Sequence, residues 1–307
     1  RFGESLTQQV AYEALLLRER QQLHDRIAKL LLSTEDDLDA ARIARIGHHL
    51  SRGESPTRGV STLLEAAEKA LALPVYGVAV RLYREAWTLA EAWLDDPECS
   101  PEHERWALQA ALGLTHMVVV YSSGDTASED GVAARAIELA TKLGDKEALA
   151  RLHADRGFMI ASGERERFSE GLSLIRRAVA IAEEAGLDVE RVRLSRDLCW
   201  AYLLDGRLED AERQIDATID DLDRLGQRAA LADTYMGARF FRGRVLYESD
   251  RFLEAEAYSR ETHALAEEAR NNTVRAASSA MVASTLVLQG RYGESLEWST
   301  RAPEVTR

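Results

Sequence analysis

The hydrophobic positions of the chain follow the period of amphipathic helices along most of its length. Apolar side chains recur three or four positions apart before Gly206, and the same spacing continues from Ala211 to Leu225. Such spacing places the apolar residues on one face of a helix. Ala, Leu, Glu and Arg, all of which favour helices, dominate the composition, whereas Gly and Pro number only 19 and 5. The pattern therefore predicts an all-α protein.

A six-residue phrase recurs along the second half of the chain. It reads Gly-Arg-Leu-Glu-Asp-Ala at 206–211, Asp-Arg-Phe-Leu-Glu-Ala at 250–255 and Gly-Arg-Tyr-Gly-Glu-Ser at 290–295, with a looser copy at 166–171. The arginines of the phrase, Arg167, Arg207, Arg251 and Arg291, are separated by 40, 44 and 40 residues. A repeat of about forty residues is typical of stacked helical units.

Each phrase predicts the turn of an αα-hairpin. A Gly or Asp permits the backbone of the turn, and the small residue at the end of the phrase lets the second helix approach the first. We expect Gly144, Gly186, Gly226 and the Asn271-Asn272 pair to end helices in the left-handed conformation. Further helices are predicted upstream over 36–49, 56–73, 75–94, 101–121 and 131–143, with a loop over 122–128.

The repeat resembles the tetratricopeptide repeat. The residues that carry the likeness are Leu198, Cys199, Tyr202, Gly206 and Ala211, and, in the last unit, Val282, Ala283, Leu286, Gly290 and Ser295. Units of 40 and 44 residues exceed the usual 34, and the frequent terminal proline of that family is absent from them. The resemblance implies an all-α fold that is a right-handed αα-hairpin solenoid, with Cys199 and Tyr202 packed inside.

The opening residues resemble a second family, the STAND-type signalling ATPases of bacteria. Residues 2–16 read FGESLTQQVAYEALL, and Arg18, Arg20, Leu23-His24 and Ile27-Ala28 follow. In that family a similar phrase closes the winged-helix part of the ATPase, and helical repeats follow it. The resemblance covers residues 2–32 and implies a parent ATPase linked to a class III adenylate or guanylate cyclase, a protein kinase or a LuxR-type DNA-binding domain.

The chain departs from that family at two positions. Glu4 stands where the family often has a His associated with nucleotide sensing, and Gln9 replaces a common acidic residue. The Gly-rich phosphate-binding loop with its Lys is missing from these residues, so ATP binding is expected upstream, consistent with a chain that begins at Arg1. We predict an ATPase junction and connecting helix over 1–34, divergent hairpins over 35–145 and repeats over 146–307.

Composition excludes several other classes of protein. A formal charge of −13 without a basic run disfavours direct binding of nucleic acid. The two cysteines are a hundred residues apart and lack a zinc-ligand pattern, which suits a reducing cytoplasm. The most apolar stretch, 117–121, is too short to span a membrane.

The sequence offers no catalytic residues, no metal site and no cofactor motif. His48 and His49 are adjacent on a helix and point about 100° apart, so they predict a buried or boundary role rather than a pair of metal ligands. Asp216, Asp220, Asp221 and Asp223 predict a solvated helix face, because they lack the loop geometry that calcium uses. We expect no enzyme activity in this fragment.

The inner groove of the solenoid is the candidate binding surface. If the repeat register holds, the side chains directed into it are Arg193, Arg196, Trp200, Phe240, Arg244 and Tyr247. Arginine forks and aromatic rings favour an acidic, extended or ring-bearing ligand. The alternative is that the aromatic rings fill the space between helices and the arginines pair with nearby carboxylates.

These observations favour a non-catalytic, regulatory interaction module of a signal-transduction ATPase. Its expected partner is a protein or peptide, or another domain of the parent chain. An alternative is a small-molecule inducer sensor of a LuxR-type regulator, a function implied by relatives that resemble the maltose regulon's activator. Self-association through the chain ends or the convex face is a third hypothesis.

Overall fold

The computed structural model describes residues 10, 12–33, 40–54, 56–72, 76–121, 126–163, 165–226 and 231–301. Glu4 and most of the predicted loop lie outside these residues. The described backbone contains fourteen α-helices, a short 3₁₀ helix at Arg165–Arg167 and no strand. The all-α prediction is therefore confirmed.

The chain forms two compact units, Arg1–Gly163 and Glu164–Arg307. The first contains α1 (Leu17–Ser33), α2 (Ala40–Arg52), α3 (Pro56–Ala72), α4 (Tyr76–Leu94), α5 (Pro101–Tyr121), α6 (Thr126–Leu143) and α7 (Lys146–Gly163). The second contains α8 (Phe168–Glu184), α9 (Asp188–Leu204), α10 (Leu208–Leu225), α11 (Ala232–Glu248), α12 (Phe252–Glu268), α13 (Asn272–Leu288) and α14 (Tyr292–Arg301).

Within each unit, every helix packs on the helices before and after it in the chain. In the first unit α3 also packs on α5 and α5 on α7, and in the second α9 packs on α11 and α11 on α13. Contact between alternate helices is the pattern of stacked αα-hairpins, since one helix of each pair meets its counterpart in the next pair. The hairpin prediction is thus confirmed for both units. The predicted borders at 34/35 and 145/146 stay predictions.

The small residues of the repeated phrase are buried. Ala211 and Ala255 are fully buried and Ser295 is nearly so. All three follow the turn by the same number of residues. A larger side chain at these positions would force the second helix of the hairpin away from the first.

Most turns take the left-handed conformation at glycine, as predicted. The φ angles of Gly144, Gly186 and Gly226 are 69°, 66° and 60°. The prediction for Asn271-Asn272 was wrong, because Arg270 adopts the left-handed conformation there, with φ of 55°. Asn271 instead caps the N-terminus of α13, where its side-chain oxygen accepts a hydrogen bond of 2.9 Å from the Val274 N–H.

The predicted start of α6 was also wrong. The helix begins at Thr126 rather than at Gly131, so the last residues of the predicted loop are helical. Glu129, in the first turn, is 2% exposed, and its carboxylate accepts a hydrogen bond of 3.2 Å from Nε of Arg84 on α4. This long-range contact stabilises the extra turn and is invisible to local sequence patterns.

The arginine of each phrase binds the acidic residue three positions later. These pairs are Arg167–Glu170, Arg207–Asp210, Arg251–Glu254 and Arg291–Glu294. Two of the arginines also reach back to the preceding hairpin: Nη1 of Arg251 lies 2.7 Å from Glu212 on α10, and Nη1 of Arg291 lies 2.7 Å from Glu256 on α12. The recurring phrase therefore encodes contacts both within one hairpin and between successive hairpins.

Glu256 is the most buried carboxylate among these ion pairs. It is 7% exposed and accepts hydrogen bonds from Arg260, Arg291 and Gln289 at 2.9, 2.7 and 2.9 Å. Burial alone would raise the pKa of Glu256, but the hydrogen bonds from Gln289 and Arg260 and the nearby guanidinium charges lower it below the usual 4.5. The carboxylate of Glu256 thus joins α12 to the turn before α14.

We predict that Glu256→Gln lowers the free energy of unfolding by about 1–3 kcal/mol at pH 7, because an amide cannot satisfy three donors as a carboxylate does. Because folding lowers the pKa of Glu256, its contribution exists above pH 4.5 and declines as the pH falls further. The difference in free energy of unfolding between Glu256→Gln and the wild type should therefore become smaller at acidic pH. Urea denaturation at several pH values measures this. Glu254→Gln, at an exposed partner of Arg251, should have a clearly smaller effect, and equal losses would contradict the assignment.

We further predict that Arg270→Gly raises the free energy of unfolding by about 1 kcal/mol, because glycine adopts a positive φ without the steric cost of a Cβ atom. The reciprocal change, Gly186→Ala, should cost a similar amount. A Cβ atom at Gly186 would meet no atom within 4 Å, so its cost would come from the backbone alone. Urea denaturation of both variants checks this, and an unchanged Arg270→Gly protein would contradict it.

Candidate functional site

The candidate surface lies on α9 and α11, two alternate helices of the second unit that pack on each other. Two contacts define their register. The rings of Trp200 and Phe241 stack with centroids 5.4 Å apart and planes inclined by 14°. Four residues earlier on each helix, a Cβ atom at Gly237 would lie 3.2 Å from Cδ of Arg196. Glycine thus makes room for the arginine stem against α11.

This register identifies residues that sequence reasoning missed. Phe241, not its neighbour Phe240, stacks on Trp200, and Gly237 forms the floor beneath Arg196. Adjacent residues on a helix point about 100° apart, so only one of the two phenylalanines can face α9 in this way. The signal in the sequence was the interval of 41 residues that separates Trp200 from Phe241 and Arg196 from Gly237, close to the repeat length.

Each predicted arginine lies at the surface and carries a nearby acidic partner. The closest distances are 3.5 Å for Arg193–Glu190, 2.5 Å for Nη2 of Arg196 to Asp197 and 2.7 Å for Arg244–Glu248. The three arginine side chains remain 27–40% exposed. The surface is therefore locally balanced in charge, as the alternative in the sequence analysis anticipated, rather than a bare cationic groove.

The other two predicted aromatic residues pack toward the following hairpin. Phe240 lies against the apolar cluster of Met236, Ala266 and Val274, which joins α11 to α12 and α13. The ring of Tyr247 meets that of Phe252, the first residue of α12, edge-on at 5.8 Å. Both rings are still partly exposed. The structure thus does not gather all six predicted residues into one cluster.

Arg193, Arg196 and Trp200 form one half of the surface, and Arg244 with Phe241 forms the other. We call these five residues the aromatic–arginine face. Cys199 and Tyr202, on the same helix as Trp200, are buried, as predicted. Burial raises the pKa of the Cys199 thiol to about 12, which keeps it protonated and unreactive at neutral pH.

The acidic stretch of α10 is only partly a solvated face. Asp221 is 9% exposed and pairs with Arg191 and Arg224, which corrects the expectation for that residue. Asp216 binds Nε of Arg242 at 2.7 Å, while burial, the largest influence, raises its pKa. Guanidinium groups thus pair with both carboxylates. Among the residues described, no group of three or more His, Cys, Asp or Glu side chains is arranged to hold a metal ion.

The described helices also include none with the length and apolar character required to cross a membrane.

Comparison with known proteins supports the fold and does not identify a family. No family model matches the chain, and no curated protein matches its sequence. Aspartyl phosphate phosphatase F from Bacillus subtilis is similar in structure, with a TM-score of 0.61 and 10% identity over 87% of this chain. This chain spans only 64% of that protein.

Two further structures extend the likeness. The Rap conjugation gene regulator of plasmid pLS20, solved with the Phr* peptide, has a TM-score of 0.57 and 12% identity over 94% of this chain and 90% of its own. A kinesin light chain from Podospora anserina with TPR-like repeats has a TM-score of 0.50 and 14% identity over 71% of this chain and 99% of its own. The chain is thus a TPR-like helical-repeat protein, and identities this low establish the fold alone.

We predict that Trp200 and Phe241 are energetically coupled by about 1 kcal/mol, the usual strength of a stacked aromatic pair beyond its buried area. A double-mutant cycle of Trp200→Ala and Phe241→Ala, followed by urea denaturation, measures the coupling. The control cycle combines Trp200→Ala with Tyr292→Ala, since Tyr292 is 68% exposed on α14. The effects of the two control substitutions on the free energy of unfolding should be additive. Additive changes in the first cycle would show that the stack is not formed.

Proposed function

We propose that the second unit is a non-catalytic interaction module that binds a protein or peptide segment along α9, α11 and α13. The observation that carries this proposal is the aromatic–arginine face, which spans two packed helices and remains accessible. Trp, Tyr and Arg dominate the binding energy of protein interfaces. Rigid helices hold these side chains in place, so little conformational entropy is lost on binding.

The chemistry of the face favours a ring-bearing segment over a purely acidic one. Trp200 and Phe241 offer a stacked aromatic edge, and Arg196 lies one helical turn away from Trp200. Because Arg193, Arg196 and Arg244 already have acidic partners, an acidic ligand would have to compete with Glu190, Asp197 and Glu248. A segment with an aromatic residue and mixed charge suits this surface better.

The surface becomes less polar toward α13. The forty-residue step of the repeat places Ser284 and Leu288 at the positions equivalent to Arg244 and Glu248. Leu288 is 52% exposed and Val287 is 45% exposed. A bound segment would therefore place an aromatic, polar part on α9 and α11 and an aliphatic part on α13. The Rap regulator solved with the Phr* peptide supports peptide binding by a protein of this fold.

We infer from residues 2–32 that the parent protein is a bacterial STAND-type signalling ATPase located in the cytoplasm. In this proposal the repeats contribute a binding surface and the ATPase supplies the chemistry. A partner that binds one state of the parent more tightly would shift the parent toward that state by the difference in binding free energy. Borders at 34/35 and 145/146 belong to the same proposal.

The test is a selection of random twelve-residue peptides displayed on phage against the immobilised 307-residue chain. We expect enriched peptides whose affinity falls at least tenfold in the Arg196→Glu, Arg244→Glu double variant. Both changes replace a guanidinium group of the face with a carboxylate beside Asp197 or Glu248, and the added negative charge repels the acidic groups of a mixed-charge peptide. Helical content, measured by circular dichroism, should stay unchanged.

The matched control reverses charge on the two helices next to this face. Arg177 on α8 and Arg213 on α10 are 56% and 70% exposed, and each pairs with a neighbouring carboxylate. Arg177→Glu with Arg213→Glu should leave affinity within about twofold of the wild type, since exposed ion pairs contribute little. If the enriched peptides bind both double variants equally, or if none is enriched, the proposal is wrong.

A further inference from the structure

Three histidines of the first unit form a cluster that local sequence could not reveal. His24 of α1 meets His48 and His49 of α2, with ring centroids 6.4 and 5.1 Å away from its own. Nδ1 of His24 lies 2.8 Å from Nδ1 of His49, and Nε2 of His24 lies 2.8 Å from the Tyr12 hydroxyl. His24 is only 7% exposed. The imidazoles thus join α1, together with Tyr12 upstream of it, to α2.

The two facing Nδ1 atoms can share only one hydrogen. With both rings neutral, the Tyr12 hydroxyl donates to Nε2 of His24, whose Nδ1–H donates to Nδ1 of His49. One added proton can be accommodated if this chain of hydrogen bonds reverses its direction. A second proton cannot, because both Nδ1 atoms would then carry hydrogen and face each other without an acceptor. The hydrogen-bond geometry itself therefore limits the charge that the cluster can hold.

Positive side chains surround the cluster. Arg45 and Arg52, both on α2, act on His49 together with His24 and His48, and burial is the largest of the influences that lower the pKa of His49 to about 4. Burial is also the main influence that lowers the pKa of His24. The charges of Arg52 and His48 lower it further, whereas the charge of Asp25 raises it.

The only acidic side chain from another helix that faces this group in the described contacts is Glu85 of α4. It lies 2.7 Å from Nδ1 of His48 and 3.3 Å from Arg52. The hydrogen bond from His48 is the main influence that lowers the pKa of Glu85. On the side of Tyr12, the guanidinium of Arg20 lies 5.3 Å from the ring centre. Glu85 binds the outer imidazole, His48, and leaves the His24–His49 pair without a carboxylate between them.

The apolar contact that accompanies this cluster is small. Ala28 of α1 packs with Ile46 and Leu50 of α2, and Leu31 lies at the edge of this group. By contrast, α2 meets α3 at close range: a Cβ atom at Gly59 would lie 2.2 Å from the backbone nitrogen of Ser51, and one at Gly47 would lie 2.9 Å from Leu63. If the contacts of α1 weaken, α1 is the element that separates, and α2 stays on α3.

We propose that the His24–His49 pair is a proton-sensitive latch, which holds Tyr12 and α1 against α2 when neutral and releases them when both rings are protonated. The direction of the pH effect follows from the fact that both pKa values are lowered in the closed state. Below about pH 6.5 the released histidines bind protons more readily than the closed pair does, and for His49 this difference persists down to its pKa of about 4. Acid therefore favours release, and the latch is fully closed above pH 6.5.

Hydrogen exchange of the full chain, read by mass spectrometry and corrected for the intrinsic effect of pH, tests the latch. We expect protection of the α1 amides to fall about tenfold between pH 7.5 and pH 5.0. This factor is smaller than the lowered pKa of His49 alone would give, because His49 is partly exposed to solvent. Protection of α3 should not change. In His49→Asn, whose amide oxygen accepts from His24 but takes up no proton, the fall should shrink to less than threefold.

The matched control is His103→Asn, since His103 also lies in the first unit but packs on Trp93, 4.6 Å away. It should retain the tenfold fall. If His49→Asn leaves α1 unprotected at both pH values, an NMR titration of the wild-type imidazoles decides: the pKa of His49 should lie near 4 and that of His24 below the usual 6.5. Titration of both near 6.5, equal α1 protection at the two pH values, or a full tenfold fall in His49→Asn would overturn the proposal.

Discussion

Packing of each helix against its chain neighbours is the interaction on which every other feature of this protein depends. The helices are mostly 13 to 21 residues long, and helices in proteins gain most of their stability from packing an amphipathic face against a partner rather than from intrinsic propensity. Fully buried alanines such as Ala211 and Ala255 let the paired helices approach closely. Close packing then fixes the side chains of α9 and α11 that form the aromatic–arginine face.

Arginine performs two distinct tasks in the second unit. In the turns, Arg251 and Arg291 form ion pairs with Glu212 and Glu256 of the preceding hairpin. These ion pairs help to hold successive hairpins in register. On the aromatic–arginine face, Arg196 and Arg244 pair with carboxylates on their own helix and stay partly exposed. The first arrangement joins elements, whereas the second leaves guanidinium groups at the surface, available to a partner.

The first unit shows how the character of a contact determines what can disturb it. Burial of aliphatic side chains, as between α2 and α3, does not depend on protonation. Between α1 and α2, imidazoles form hydrogen bonds beside a small apolar group, and these bonds depend on the number of protons that the rings carry. Helix α2 therefore makes one contact that is insensitive to pH, with α3, and one that is sensitive to pH, with α1.

The sequence by itself determined the helical class, the repeat of about forty residues, the turns at Gly186 and Gly226 and the burial of Cys199, because these depend on local periodicity and backbone freedom. Only the tertiary structure decided that Phe241 rather than Phe240 stacks on Trp200, since both fit the same helical period. It also placed His24 beside His49 and the start of α6 at Thr126. Each of these features depends on contacts between residues far apart in the chain, whose side chains meet only when the helices pack.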